Sequence, residues 1–243
     1  MRLTIRLKLK LSASLISGDR GFLLIGDLHA NLSQFAVACE EGGADGVMLH
    51  LNENSPQGSR FGGLEIEEDS IKDCLSTLNI PAGVAIGDSR PLIGEEWEMC
   101  IKLGFSFVNM FAHQMPAFVW KDPRIDKLVS IGPGYILEQV KSISEFDGVS
   151  AMIAALTPAQ GHGLPLTLFD VATLKLITSL SKKPVLYPTQ RAIAVEDLPT
   201  LKSQSCRGLL VGSSVYGTSS ENCKENIAKF KSAANEKLQG QFP

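Results

Sequence analysis

The sequence has 243 residues, of which 44% are hydrophobic and 20% charged, as is typical of globular proteins. Its formal net charge of −3 and pI near 5.8 argue against a nucleic-acid-binding surface. No run of residues approaches the ~18 apolar residues that a membrane-spanning helix needs, so we expect no membrane insertion.

The first element is a basic, alternating segment. Residues 1–11 alternate basic or polar side chains such as Arg2 and Lys8 with apolar ones such as Leu3 and Leu9. Alternation with a period of two predicts a half-exposed strand, not the continuous apolar core of a signal peptide. We therefore predict that residues 1–20 form an N-terminal arm or extra strand, and a membrane-surface role is the weaker alternative.

Eight short apolar runs follow along the chain. They are rich in Val, Ile, Leu and Phe and lack polar alternation, which is typical of strands buried on both faces. These predicted strands span residues 22–25, 46–51, 82–86, 105–110, 128–131, 149–153, 184–187 and 209–211.

Longer segments with helical periodicity separate the apolar runs. A segment with two prolines, 115–126, predicts only a short or broken helix. The other predicted helices span residues 31–42, 67–78, 94–103, 135–146, 168–180, 195–202 and 220–238.

The spacing of these units predicts the fold. Five of the seven intervals between strand starts are near 23 residues and two are near 35, the extra residues being 52–66 and 154–167. Both insertions precede a helix, and the loops between strand and helix form the catalytic face of a (βα)₈ barrel. We predict one α/β domain over 1–243, a TIM barrel. The alternative fold is an open doubly wound sheet, but the short connections from each helix to the next strand disfavour it.

The turns after strands seven and eight could bind an anion. Strand eight runs directly into Gly212, Ser213 and Ser214, where glycine allows close backbone approach and amides and hydroxyls can donate hydrogen bonds. Gln190 and Arg191 follow strand seven and could supply further donors. The simpler interpretation is that Gly212 only permits a tight turn.

The sequence Val211-Gly212-Ser213 resembles the end of the last strand in the phosphate-binding TIM-barrel superfamily, which includes the ribulose-phosphate-binding barrels. The resemblance covers the last quarter of the chain and the overall repeat, and it implies a bound phosphate group. Strand seven departs from the pattern, because Tyr187 to Arg191 replaces the glycine-rich turn common in that group.

Polar side chains at the carboxyl ends of the strands are the catalytic candidates. Asp27, His29, His50 and Asp88 lie at or just after the ends of strands one to three, and all four histidines of the chain fall on the same predicted rim. Asp27, His50 and Asp88 could act as general acids and bases around a sugar phosphate, with His29 beside them.

These residues also admit other interpretations. Asp27, His29 and His50 could instead bind a divalent metal, the one cofactor that the sequence suggests. Asp27 could also cap the first helix, and Asp88 could stabilise a turn or pair with Arg90.

Several known site patterns are incomplete in this chain. The motif from Gly26 to Asn31 resembles calcineurin-like metallophosphoesterases, but Gly87-Asp88 supplies only half of their next metal-binding block and the last block is absent. The segment around His50 resembles the second strand of pentose-phosphate epimerases, with Asn52 in place of the acid. Strand six has no lysine for a Schiff-base aldolase, and indole-glycerol-phosphate-type synthases would need lysines at inner strand ends.

The two insertions contain flexible residues next to polar ones. Glycines flank Arg60 in one loop and His162 in the other, which is typical of loops that close over a substrate. A homodimer contact through Phe61 and Leu164 is the alternative use.

The sequence therefore predicts a barrel enzyme, a lyase, isomerase or synthase, that acts on a small phosphorylated metabolite. A non-catalytic phospho-ligand-binding barrel and a metal-dependent hydrolase are the alternatives. The five cysteines are scattered and odd in number, so we expect buried free thiols and a cytoplasmic protein.

Overall fold

The computed structural model describes residues 21–55 and 58–236. The arm predicted over residues 1–20 lies outside the described residues.

Eight parallel strands close into a barrel, and their order around it is their order in the chain. The predicted TIM barrel is confirmed, and the predicted bounds of the second and third strands coincide with the observed ones. The barrel closes where β1 pairs with β8, with Leu23 opposite Gly208 and Gly26 opposite Val211. The strands are β1 (Leu23–Asp27), β2 (Gly46–Leu51), β3 (Ala82–Ile86), β4 (Phe107–Phe111), β5 (Asp126–Ile131), β6 (Ala151–Ala154), β7 (Val185–Pro188) and β8 (Gly208–Val211).

Helices surround the barrel. The predicted broken helix after strand four is a single turn, α4, and the other predicted helices are present with shifts of a few residues at their ends. In the described part of the chain, no helix is long and apolar enough to cross a membrane. The helices are α1 (Ser33–Glu41), α2 (Leu64–Thr77), α3 (Gly94–Leu103), α4 (Ala117–Trp120), α5 (Leu137–Ser144), α6 (Leu168–Leu180), α7 (Leu198–Ser203), α8 (Ser213–Tyr216) and α9 (Ser220–Asn235).

Both predicted insertions lie between a strand and the following helix, as the spacing indicated. The first contains a small antiparallel hairpin in which Glu53–Asn54 pairs with Arg60–Phe61. The second contains a 3₁₀ turn at Ala159–Gly161. The loops therefore lie at the carboxyl ends of the strands.

The core has two layers because side chains alternate between the faces of each strand. One set fills the barrel interior and includes Ile25, Phe107 and Leu128. The other packs between strands and helices and includes Leu24, Val108 and Val129. All five cysteines are free and buried, as expected, and four of them lie on α1, α2, α3 and α9.

Gly83 makes room for the largest interior side chain. A methyl group at Gly83 would overlap the ring of Phe107, which is fully buried. We expect Gly83→Ala to lower the free energy of unfolding by about 1–3 kcal/mol, because the packed interior cannot move aside. Urea unfolding measures this loss. Gly94→Ala is the matched control, since nothing lies within 4 Å of a methyl group there, and equal loss in both variants would contradict the packing argument.

Candidate active site

The carboxyl ends of the strands surround a cavity of ≈ 370 Å³, and every barrel strand contributes to its wall. The polar side chains around it come from both halves of the barrel. They are Asp27, His50, Glu53, Asn54, Ser55, Asp88, Asn109, Gln114, Ser130, Thr157, His162, Thr189 and Gln190.

His50 lies between two carboxylates at one side of this cavity. Its Nε2 is 2.8 Å from Oδ1 of Asp27, and its Nδ1 is 2.7 Å from Oε2 of Glu53. The position of the ring is further fixed by the main chain of β2, because the side-chain amide of Asn31 bonds both the N–H and the C=O of His50. The structure thus brings together two predicted residues, Asp27 and His50, and adds Glu53.

The two carboxylates keep His50 charged. Burial, the largest single effect, lowers the pKa of His50, but the negative charges of Glu53 and Asp27 together outweigh it and raise the pKa to about 10. For Glu53, burial acts in the opposite direction and raises the pKa of the carboxyl. The positive charge of His50 more than reverses this effect, so the pKa of Glu53 is lowered. At neutral pH the group is an imidazolium that donates a hydrogen bond to each carboxylate.

The hairpin after β2 covers His50. The ring of Phe61 stacks on the imidazole, with ring centroids 4.6 Å apart and an interplanar angle of 21°. Phe61 is buried, so it is not the exposed dimer contact considered from the sequence. Glu53 was not predicted, because nothing in the run His50-Leu51-Asn52-Glu53 shows that the chain turns back there to return a carboxylate to His50.

Asp27 is the member of the group that is closest to the turn after β8. Its side chain is 26% exposed, against 8% for His50. Its backbone carbonyl accepts a hydrogen bond of 2.5 Å from Tyr216 Oη on α8. A methyl group at Gly212 would lie 3.2 Å from Oδ2 of Asp27, so the turn after β8 and this carboxylate are immediate neighbours.

His29 lies near this group but does not line the cavity that the described residues form. Its Nδ1 is 2.9 Å from Oγ of Ser59, and its backbone N–H donates to Tyr216 Oη. The described part of the chain contains no group of three His, Cys, Asp or Glu residues arranged to hold a metal ion. Asp27, His29 and His50 are therefore not gathered into a ligand set.

Asp88 lies exposed at the cavity mouth, after β3. The pairing with Arg90 considered from the sequence is not formed. Arg90 instead binds Glu96, with its Nη1 2.9 Å from Oε2, and Glu65, with its Nη2 2.8 Å from Oε2.

The predicted phosphate turns are only partly at the cavity. Gln190 and Gly212 line it, together with Thr189, which the sequence analysis missed. The Gly212 N–H donates to Oγ1 of Thr189 at 2.8 Å, and Oε1 of Gln190 accepts from the Thr157 N–H. These two bonds fix the turn after β7 against its neighbours on both sides.

The two predicted serines lie just beyond the cavity wall. Ser213 begins α8, and the Ser214 hydroxyl donates to the Gln190 carbonyl at 3.3 Å. Neither serine is among the described residues that line the cavity.

Arg191 is also not among the residues that line the cavity. Its Nε lies 2.9 Å from Oδ2 of Asp170 on α6, and its Nη1 donates to the Gly161 carbonyl at 3.0 Å. Arg191 therefore fastens the second insertion to the turn after β7.

The two predicted lid residues lie in different surroundings. His162 of the second insertion lines the cavity, with Nε2 3.1 Å from the Thr157 carbonyl oxygen. Arg60 of the first insertion is exposed on the hairpin and is not among the lining residues.

These features define a (βα)₈ barrel with one polar cavity wall formed by β1 and β2 and another by the turns after β7 and β8. No protein-family model matches the chain, and no curated protein matches it in sequence. Many solved structures, by contrast, match its fold.

Three similar structures are barrels of about the same length. Tryptophan synthase from Mycobacterium tuberculosis shares 13% identity, with a TM-score of 0.67 over 93% of this chain and 97% of that one. Thiamine phosphate pyrophosphorylase from Pyrococcus furiosus shares 16% identity, with a TM-score of 0.60 over 89% of this chain and 96% of that one. N-(5'-phosphoribosyl)anthranilate isomerase from the same organism shares 16% identity, with a TM-score of 0.61 over 88% of this chain and 98% of that one. At these identities the likeness shows the fold alone, a (βα)₈ barrel.

Glu53 should control the charge of His50. We expect Glu53→Gln to lower the pKa of His50 below about 10, because one of the two carboxylates is lost while burial remains. The charged His50 stabilises the folded state fully below pH ~6.5, and this stabilisation is lost as the pH rises towards 10. The Glu53→Gln variant should therefore be less stable than the wild-type protein at neutral pH.

Titration of the His50 ring by NMR, together with urea unfolding at neutral pH, measures both effects. Glu65→Gln is the matched control, because this carboxylate is 62% exposed and binds Arg90 instead. A His50 pKa that is the same in both variants would contradict the assignment.

Proposed function

We propose that the protein is an enzyme of the lyase, isomerase or synthase type that moves protons on a small phosphorylated metabolite bound in the barrel cavity. The observation that carries the proposal is the Asp27–His50–Glu53 group at the cavity wall. A buried, charged histidine held between two carboxylates is costly for a merely structural role, and such groups cluster at functional sites.

Asp27 is the residue that we propose exchanges protons with the substrate. Both ring nitrogens of His50 are occupied by carboxylates, so His50 acts on the substrate only through Asp27 and Glu53. Its two N–H groups hold both carboxylates as oriented anions. Asp27 would remove a proton from a carbon or hydroxyl group of the substrate and return it at a second position.

The substrate's phosphate group would bind at the turns after β7 and β8. No lysine or arginine occurs among the described residues that line the cavity, so the anion would rely on neutral donors. The Thr189 hydroxyl and the Gln190 side-chain amide lie at the wall as donors, Gly212 lies beside them, and α8 begins next to them at Ser213. Backbone amides at such a short extra helix often bind phosphate in TIM barrels.

The dimensions support a small substrate. Because Gly212 lies beside Asp27, one molecule of a few carbons could touch the phosphate turn and the proton-transferring carboxylate at once. Two of the similar structures carry phosphorylated small molecules in their names, thiamine phosphate and phosphoribosylanthranilate. That likeness in fold supports a phosphorylated metabolite for this chain.

The arrangement gives less support to metal-dependent hydrolysis. His29 turns its Nδ1 to Ser59, and the nitrogens of His50 already hold two carboxylates. A non-catalytic phospho-ligand-binding barrel would explain the phosphate turns, but it would not require a charged Asp27–His50–Glu53 group at the cavity wall. We therefore favour the enzyme.

Asp27→Asn tests this choice. Phosphorylated metabolites that raise the unfolding temperature of the wild-type protein would be incubated with it in D₂O, and uptake of deuterium at carbon would be followed by mass spectrometry. We expect Asp27→Asn to keep ligand-induced stabilisation but to lose about 10²–10⁴-fold in exchange rate, the usual contribution of a general base.

Asp147→Asn, an isosteric change of an exposed aspartate in the loop before β6, is the control and should exchange normally. Binding without exchange in the wild-type protein would favour the non-catalytic barrel. Loss of exchange on addition of a chelator, with recovery on addition of a divalent metal, would favour hydrolase-type metal chemistry.

A further inference from the structure

An apolar patch lies on the outer surface near the start of α5 and α6. Leu168 and Phe169, the first two residues of α6, are 85% and 77% exposed. With them we define the α5/α6 patch, which consists of Ile136, Leu137, Leu164, Leu168, Phe169 and Leu176.

The loop before α6 and the start of that helix expose no charged side chain. Residues 163–169 contain no charged side chain, and Asp170 of α6 is buried against Arg191. The exposed charged side chains of α5 and α6 are Glu138, Lys141 and Lys175. The exposed face of α9 instead contains Glu221 and Lys224. Outer helices of a barrel normally present polar side chains to water, so the patch is an exception that requires an explanation.

The main chain holds the loop part of this patch in place. The Gly163 N–H donates to the Gln190 carbonyl at 2.8 Å, and the Ala192 N–H donates to the Leu164 carbonyl at 2.9 Å. The loop before α6 is therefore bonded to the turn after β7 on both sides of Leu164.

The start of α6 is fixed as well. The Thr167 side chain accepts a hydrogen bond from the Asp170 N–H and so caps the helix, and Arg191 binds the Asp170 carboxylate. The exposed apolar side chains are thus presented from a braced backbone, which lowers the entropy lost when a partner binds.

We propose that the α5/α6 patch is the surface through which two copies of this chain associate. Its six side chains expose roughly 600 Å² of apolar surface, at the upper end of what monomers tolerate. That is most of the ~800 Å² that each partner contributes to a standard interface. A two-fold contact places a patch against its own copy, and apolar side chains can pair in this way without repulsion.

The position of the patch ties association to the cavity. His162 lines the cavity and lies two residues before Leu164 in the same braced loop. A second copy on the patch would therefore cover one side of the cavity mouth. This inference does not depend on the reaction that the cavity supports.

The double variant Leu168→Glu/Phe169→Glu tests the proposal. Acidic residues in the first turn favour a helix, so the fold should survive the change, which circular dichroism would confirm. By sedimentation velocity and light scattering, from low micromolar to submillimolar protein, we expect a dimeric wild-type protein. The double variant should remain monomeric over the same range.

Ile66→Glu is the matched control, because Ile66 is 71% exposed on α2, on the opposite side of the barrel. This variant should remain a dimer. A monomeric wild-type protein over the whole range would overturn the proposal and would indicate a different partner or another part of this chain on the patch. A double variant that is as dimeric as the control would overturn it as well.

Discussion

The pairing of β1 with β8 is the contact on which the rest of the molecule depends. Gly208 lies opposite Leu23, and a methyl group at Gly208 would overlap the Leu23 carbonyl oxygen, so only glycine allows the two strands to approach. Closure leaves no strand edge, which removes the row of unpaired backbone groups that an open sheet exposes. It also brings the first and last helices together, where Cys39 and Cys223 meet with sulfurs 3.4 Å apart.

Closure also creates the cavity. The carboxyl ends of parallel strands point the same way, so a closed sheet turns them into a ring whose side chains face one another. Asp27 is the last residue of β1. On one side of β1 lies β2, which contains His50, and on the other side lies β8, which is followed by Gly212. The proposed proton-transferring group and the proposed phosphate turn are thus neighbours because the barrel is closed, although all the other strands lie between them in the chain.

The sequence predicted the barrel well, because buried parallel strands and their crossover helices leave a local signal. The runs at 46–51 and 82–86 were bounded by their composition alone, and Gly94 and Gly104 marked both ends of α3. The site was predicted less well. Asp27 and His50 could be found because each lies at the end of a strand, whereas the contact between His50 and Glu53 depends on a hairpin whose turn has no strong sequence signal.

Arg191 shows why residue type alone misleads at such a site. An arginine after strand seven of a barrel is a natural phosphate ligand, but a buried carboxylate on α6 competes for it. Asp170 lies in the first turn of its helix and binds Arg191, so the guanidinium braces a loop and does not face the cavity. The sequence could place Arg191 on the correct turn, but the partner that decides its direction lies 21 residues earlier, in another unit of the repeat.

Because Arg191 binds Asp170 and does not line the cavity, its positive charge does not act on a ligand there. The described lining residues include no lysine or arginine, and the charge of His50 is already shared between Asp27 and Glu53. An anionic ligand would therefore find its donors in backbone amides and neutral side chains, which select by shape and direction more than by charge. The carboxylates beside them disfavour a bare anion, so under the proposed function the phosphate of the substrate would reach the turns after β7 and β8 while its neutral, proton-exchanging end would meet Asp27.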